Sequence, residues 1–300
     1  MIMPYHNYSI APVPSYVTLP ICRPPYPALL DFFAQRFPNV GRDVWRERLE
    51  SGKITTDAGD IVTPNTPYLP NARLRYYREV VAEPAIPFEE RILFRNEHLL
   101  VVCKPHFLPV TPAGAYVNEC LLYRLRRAFG LSEIAPLHRL DRETAGVVMF
   151  SINASSCAQY NALFHSGAVC KVYEAIASLP DDSDRTEWEI ENRLVQGEPW
   201  FRTKVVDGAV NAISNITLVE RRGEYGLFRL EPRTGKQHQL RVHLMLIGSH
   251  ILHDRYYPEL QPKQPDDFAR PLQLLAKELH FTDPVSGEPM RFVSSRTLLW

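Results

Sequence analysis

The stretch Leu137–Ser151, LHRLDRETAGVVMFS, constrains the fold of this chain more than any other part of it. Arg139, Asp141 and Arg142 stand just ahead of an uncharged run, GVVMF, that reads as a buried strand. A short apolar run bounded by polar residues is the mark of a core strand, so the charged group sits on a turn that feeds the core. Turns carried by a rigid scaffold are where binding and catalytic groups are commonly held. The plain reading of Asp141 is a turn cap or an ion pair with a neighbouring arginine. The sharper reading is a carboxylate nucleophile set among cations that hold a polyanion. An aspartate with an ordinary pKa of about 3.9 is ionised at neutral pH, and adjacent cations favour that form.

Around this stretch, strands and helices do not alternate regularly, which predicts an α+β chain rather than a doubly wound parallel sheet. RILFRNEHLLVVCKP reads as two short strands joined at Asn96 and Glu97. Asn118 suits the N-cap of a helix with Leu121, Leu122, Leu125 and Phe129 on one face and Gly130 as its stop. A second helix runs from a cap at Asn153 to Gly167 and leads into the strand AVCKVYEAIA. TEWEIENRL and YGLFRLEP are further strands. In TGKQHQLRVHLMLIG the residues Leu240, His243, Leu244 and Ile247 keep helical spacing, Thr234 and Gln237 form a capping-box pattern, and Gly248 ends the helix.

Three regions are expected. Residues 1–27, rich in proline and tyrosine, read as an extended arm. Residues 28–86 hold two short helices, around Leu29–Phe37 and Val44–Leu49, then the hairpin GKITTDAGDIV and a linker, EVVAEPAIPFEER. That succession is similar to the small S4-like RNA-binding domain, although a compact helix pair is also a common structural device. Residues 87–300 form the main domain.

Lysine plus arginine equals aspartate plus glutamate, which argues against a protein that coats nucleic acid without discrimination. Charge is sorted locally instead. Arg124, Arg126, Arg127, Arg139 and Arg142 gather in one stretch and Arg229, Arg233, Lys236 and Arg241 in another, while LPDDSD and QPDD carry much of the acid. The five cysteines are odd in number and scattered, so they predict neither a disulfide framework nor a zinc site. His238 and His243 lie five apart, which does not bring two imidazoles to one helical face for a metal. No long uncharged apolar run or signal-like N-terminus is present, so the expectation is a cytoplasmic protein with no membrane span, no metal, no cofactor and a monomeric state.

Two more residues could carry chemistry. Tyr173 shares a strand face with Lys171 rather than with the apolar Val172 and Ile176. A strand tyrosine is usually core, but on that face it is available to stack on a base or to hydrogen-bond a substrate. Arg241 points off the face of Leu240, His243 and Leu244, either towards solvent or into a cleft.

Taken together, these segments resemble the RluA family of RNA pseudouridine synthases. HRLDRETAG is similar to the family's HRLD-x-x-T-[SA]-G signature, LLVVCKP to its strand ending in Lys-Pro, KVYEA to its Lys-x-Tyr-x-Ala strand, and TGKQHQLRVHLMLIG to its Thr-Gly-Arg-x-His-Gln-Ile-Arg-Val-His-Leu helix. LQLLAKELHFTDPVSGEPMRF resembles its C-terminal region, so the likeness covers roughly Arg91 to the C-terminus. Lys236 and Gln237 replace an arginine and a threonine, Leu275 stands where a histidine is common, and His253 where glycine is usual. The resemblance implies the pseudouridine synthase fold, a mixed, largely antiparallel sheet with a central catalytic cleft. It implies isomerisation of uridine in ribosomal or transfer RNA with Asp141 as nucleophile, Tyr173 against the base and Arg241 paired with Asp141. Arg139, Arg142, Lys104, Lys171 and Lys236 are then the expected RNA-binding cations. The other readings are a non-catalytic RNA-binding or chaperone protein of the same fold and, more remotely, an aspartate hydrolase.

Overall fold

The chain was analysed as a computed structural model, which describes residues 8–180 and 184–300. The first seven residues of the expected arm, and residues 181–183 of the acidic LPDDSD stretch, lie outside the described residues. The chain divides into two compact units, one running to Pro84 and taking in Ala113–Asn118, the other comprising Ala85–Pro112 and Glu119–Trp300.

In the smaller unit, strands β1 (Tyr8–Ile10) and β2 (Ser15–Thr18) precede helices α1 (Leu29–Arg36) and α2 (Arg42–Glu50) and strands β3 (Ile54–Thr56), β4 (Arg73–Tyr76) and β5 (Glu79–Val81). β2, β4 and β3 form an antiparallel sheet in that order, and β1 pairs with β5. Phe33 stacks on Trp45 with ring centroids 4.6 Å apart, and Phe32, Leu49, Ile54 and Leu74 close the core around them. Leu19 is buried in that core, so from Tyr8 onward the proline-rich arm is built into this unit. Asn118 does not cap the next helix. Its backbone N–H donates to Glu83 Oε1 and its side chain to Ile10 O, while the helix starts at Leu121 behind Cys120.

The larger unit is an α+β structure built on one 11-stranded sheet. Its elements are β6 (Arg91–Arg95), β7 (Leu99–Lys104), α3 (Leu121–Phe129), β8 (Ala135–Pro136), β9 (Ala145–Ser151), α4 (Ala154–Ser166), β10 (Cys170–Ser178), β11 (Glu187–Gln196), β12 (Thr203–Val206), β13 (Ala212–Arg222), β14 (Tyr225–Pro232), α5 (Gln239–Leu246), β15 (Leu274–Thr282) and β16 (Pro289–Val293). The strand order is β12-β11-β13-β14-β10-β15-β9-β7-β6, with β16 on β15 and β8 on β9. β9 and β15 pair in parallel, and the other pairings among the described residues are antiparallel. No helix among the described residues is long and apolar enough to cross a membrane.

β7 and β9 are buried along their whole length, which explains why they read as continuous apolar runs rather than as alternating ones. Leu99, Val101, Val147, Met149, Tyr160 and Phe281 join α4 to this half of the sheet. Ala175, Phe228, Leu230, Leu240 and Leu244 join α5 to the other half. The parallel register sets Ala276 opposite Gly146. Gly146 has φ +121°, and a Cβ there would lie 2.1 Å from Ala276 O, so only glycine lets the strand after Asp141 approach β15 this closely.

Candidate active site

The turn that carries Asp141 is tied to the strand it feeds. Thr144 N–H donates to Asp141 O at 3.1 Å and Leu137 N–H to Met149 O at 2.9 Å. Met149 N–H in turn donates to His138 Nε2 at 3.1 Å. Burial drives the His138 pKa down to about 3, so the ring is neutral and offers the lone pair this bond needs. Lys104, at the end of β7, donates to Pro105 O, Leu108 O and Arg142 O at 3.0, 2.6 and 3.1 Å. It is wholly buried, and burial brings its pKa down to about 7, with Glu143 and Asp141 opposing that shift. Lys104, expected to bind RNA, is buried here, and its ammonium fastens the turn that carries Asp141 from inside.

The second wall comes from α5. His238 caps it in the left-handed backbone region, φ 53° and ψ 17°. The organising side chain is Gln239, whose Oε1 accepts from Thr234 Oγ1 at 2.8 Å and Lys236 N–H at 3.0 Å. Its Nε2 donates to Ile213 O at 2.9 Å and Ser214 Oγ at 2.8 Å. Gln237 instead reaches Phe201 O, so the expected pairing of Thr234 with Gln237 in a capping box is replaced by Thr234 with Gln239. Arg241, two residues further on, is 3% exposed. Its Nε and Nη2 donate to the two oxygens of Asp254 at 2.7 and 2.5 Å. Asp254 also accepts the backbone N–H groups of Tyr256 and Tyr257.

Asp141 Oδ2 lies 3.8 Å from Arg241 Nη1 and 3.7 Å from His238 Nε2. The first brings opposite charge close and the second an imidazole nitrogen, yet both exceed hydrogen-bond length. Arg241 Nη1 is a buried nitrogen with no hydrogen-bond partner among the described residues. The guanidinium is thus locked by one carboxylate and aimed at another. Burial works most strongly against its charge, but Asp254, Asp141 and Glu143 together outweigh it and the net effect raises the arginine pKa. For His238 burial prevails over the attraction of Asp141, which lowers its pKa and leaves the imidazole neutral at pH 7.

A cavity of about 100 Å³ opens beside Asp141, lined by Arg139, Lys171, Tyr173, Lys236, His238 and Arg241 among others. Tyr173 reaches it from β10. Burial raises the Tyr173 pKa and Asp141 adds to the effect, so the phenol stays protonated. Lys171, on the same strand, donates to Thr234 O at 3.0 Å, and burial lowers its pKa. Arg139 and Lys236 are exposed at the rim. Arg142 stands apart from them: it makes a two-pronged bond to Asp266 at 2.7 and 2.8 Å and reaches Glu143 at 3.0 Å. Arg142, expected to bind RNA, is thus paired with two carboxylates. Sequence reasoning weighed His238 only as a metal ligand and passed over Asp254, although HDRYYP lies shortly after the helix and carries the carboxylate that Arg241 grips.

A sequence profile of the RNA pseudouridylate synthase family matches residues 98–246, a span holding Asp141, Tyr173 and Arg241. An uncharacterized RNA pseudouridine synthase of Synechocystis is 30% identical over 76% of this chain and 79% of its own length. The dual-specificity RNA pseudouridine synthase RluA of Haemophilus influenzae is 31% identical over 67% of this chain and 90% of its own. The solved human RNA pseudouridylate synthase domain containing 4 shares the fold, with a TM-score of 0.53, 23% identity and coverage of 69% of this chain and 88% of that one.

Proposed function

The chain belongs to the RluA-type family of RNA pseudouridine synthases, and on that footing we propose that Asp141 is the nucleophile with which it isomerises specific uridines in structured ribosomal or transfer RNA. The observation that carries the reading is the pair of contacts at Asp141 Oδ2, where Arg241 Nη1 and His238 Nε2 stand just beyond bonding distance. A carboxylate held near a guanidinium and an imidazole, but bonded to neither, keeps its lone pairs for attack. The reaction detaches the uracil from the sugar through nitrogen, turns it, and rejoins it through carbon. Nothing is oxidised and no group is transferred to another molecule, so the protein's own side chains suffice for each step.

Tyr173 packs against the base, and its phenol, kept protonated by burial, donates a hydrogen bond as the proton on carbon is exchanged. A target uridine in structured RNA must be extruded from its stack, which costs a few kcal/mol. Arg139, exposed beside the cavity, fills the gap the base leaves, and Lys171 and Lys236 meet the neighbouring backbone. We read the enzyme as a cytoplasmic monomer. The test is tritium release from RNA labelled at carbon five of uracil. Wild type is expected to release tritium into water, and Asp141→Asn to bind the same RNA and release none. Substantial turnover by Asp141→Asn removes the nucleophile from this reading, and free uracil in place of pseudouridine turns the enzyme into a hydrolase.

A further inference from the structure

The turn between β11 and β12, Gly197–Arg202, presents a tryptophan to solvent on a firmly built support. Gly197 N–H donates to Arg202 O and Arg202 N–H to Pro199 O, both at 2.8 Å. Trp200 in this turn is 66% exposed. Its carbonyl accepts from Gln196 Nε2 at 2.9 Å, and its indole stands edge-on to Phe201, centroids 5.9 Å apart. Phe201 packs on Tyr256 at 5.3 Å and Tyr256 on His238 at 5.6 Å. Ring contacts therefore run without a gap from the exposed indole to the imidazole beside Asp141. The backbone is stitched to the same place, because Gln237 Nε2 donates to Phe201 O and Thr203 Oγ1 donates to Gln237 O, each at 3.0 Å. Lys236 and His238, on either side of Gln237, line the catalytic cavity.

We propose that Trp200 is a stacking platform for an unpaired nucleobase next to the target uridine in the bound RNA. The inference rests on the RNA-isomerase reading and names a substrate contact outside the residues that do the chemistry. When one nucleotide is turned out of the strand, its neighbour loses a stacking face, and an indole supplies one to any base. A phosphate contact fits this turn poorly. Glu198 beside the tryptophan repels a polyanion, and the turn's arginine, Arg202, directs Nη2 to Pro258 O and lays its guanidinium over Tyr257 at 4.8 Å. What remains available at the tip is the face of Trp200, held by a turn that has no need to reorganise before it binds.

The test uses the full-length protein carrying Trp300→Phe. That change removes the other exposed indole, Trp300 at 45%, and leaves the buried Trp45 and Trp188. The probes are an oligouridylate of about twelve nucleotides and an abasic ribose-phosphate strand of the same length and charge. Oligouridylate should quench the Trp200 emission and the abasic strand should not. Trp200→Ala should weaken oligouridylate binding roughly ten-fold, with binding of the abasic strand and the salt dependence of both unchanged. Trp200→Phe should keep most of the affinity. Equal quenching by the two strands, no quenching by either, or an equal loss on both in Trp200→Ala overturns the platform. Tritium release by the wild type from cellular RNA is measured alongside, so failure of the stacking role with release intact is told apart from failure of the isomerase reading.

Discussion

Arg241 has two carboxylates within reach and grips only one of them, and that asymmetry leaves Asp141, the proposed nucleophile, unbonded by the guanidinium. Asp254 occupies Nε and Nη2 and is itself held by two backbone N–H groups, so Arg241 cannot turn to close a two-pronged pair on Asp141. Asp254→Asn should release it. The strongest anion left nearby is Asp141, and an arginine closed on it would mask the lone pairs that attack. We expect kcat to fall by about 100-fold with little change in KM, together with a loss of stability of about 3–5 kcal/mol from breaking a buried pair. Steady-state kinetics on the folded fraction decide it: a rise in KM at constant kcat would mean that Asp254 serves binding and not the poise of Asp141. At this scale much was legible in the sequence and some was not. Asp141, Tyr173 and Arg241 do converge on one cavity, as motif order implied. The partners of Lys104 and Arg142 were not legible, because a charged residue near a strand end reads as solvated until the strand's place in the sheet and its non-local neighbours are known. The three carbonyls around Lys104 and the Asp266 opposite Arg142 are such partners.

The active turn and the strands beneath it answer to one close contact. β9 meets β15 in parallel at Ala145 and Gly146, directly after the turn bearing Asp141, and the backbone of Ala276 fills the space where a Gly146 side chain would sit. Gly146→Ala should therefore cost both a strained positive φ and a collision with backbone that has no flexible end to give way. A loss of more than about 3 kcal/mol is expected, read as a fall in the urea midpoint at unchanged slope. A loss below about 1 kcal/mol would show that the strands can part without harm. The glycine was visible in the motif, but its reason was not, since a parallel pairing across more than a hundred residues leaves no local trace. Elements with local causes were legible. β6, β7, α4 and α5 stand where apolar period and glycine stops predicted them. The caps were harder: Asn118 bonds to Glu83 and Ile10 instead of the helix after it, and Gln239 displaces Gln237 because its amide can reach β13.

At the scale of the whole molecule, titration and division into units make separate predictions. Besides His238, burial holds three more histidines neutral, with pKa values brought down to about 4 for His106, about 3 for His138 and about 4 for His243. Unfolding restores each to about 6.5, so between those values the unfolded chain binds more protons and stability falls as pH falls. The melting temperature should be highest above about pH 6.5 and drop steadily towards pH 4, and His138→Gln should flatten that slope. An unchanged slope in His138→Gln would assign the acid sensitivity to other groups. The second prediction concerns the smaller unit. Its aromatic core and its own sheet are complete without any residue of the cavity beside Asp141, and every motif shared with the family lies after Pro84. We propose that residues 85–300 fold and isomerise uridine alone, with weaker affinity for RNA. One segment complicates that cut. Ala113–Asn118 belongs to the smaller unit, where Val117 and Asn118 donate to Glu83, Gly114 O accepts from Arg78 and Asn118 donates to Ile10. Truncation strips those partners, so limited proteolysis should cut the shortened protein between Ala113 and Asn118 while the rest resists. Circular dichroism, proteolysis and tritium release on the truncated chain test the claim together. A chain that fails to fold would make the smaller unit part of the catalytic core's stability, and one that folds but releases no tritium would place part of the active machinery before Ala85.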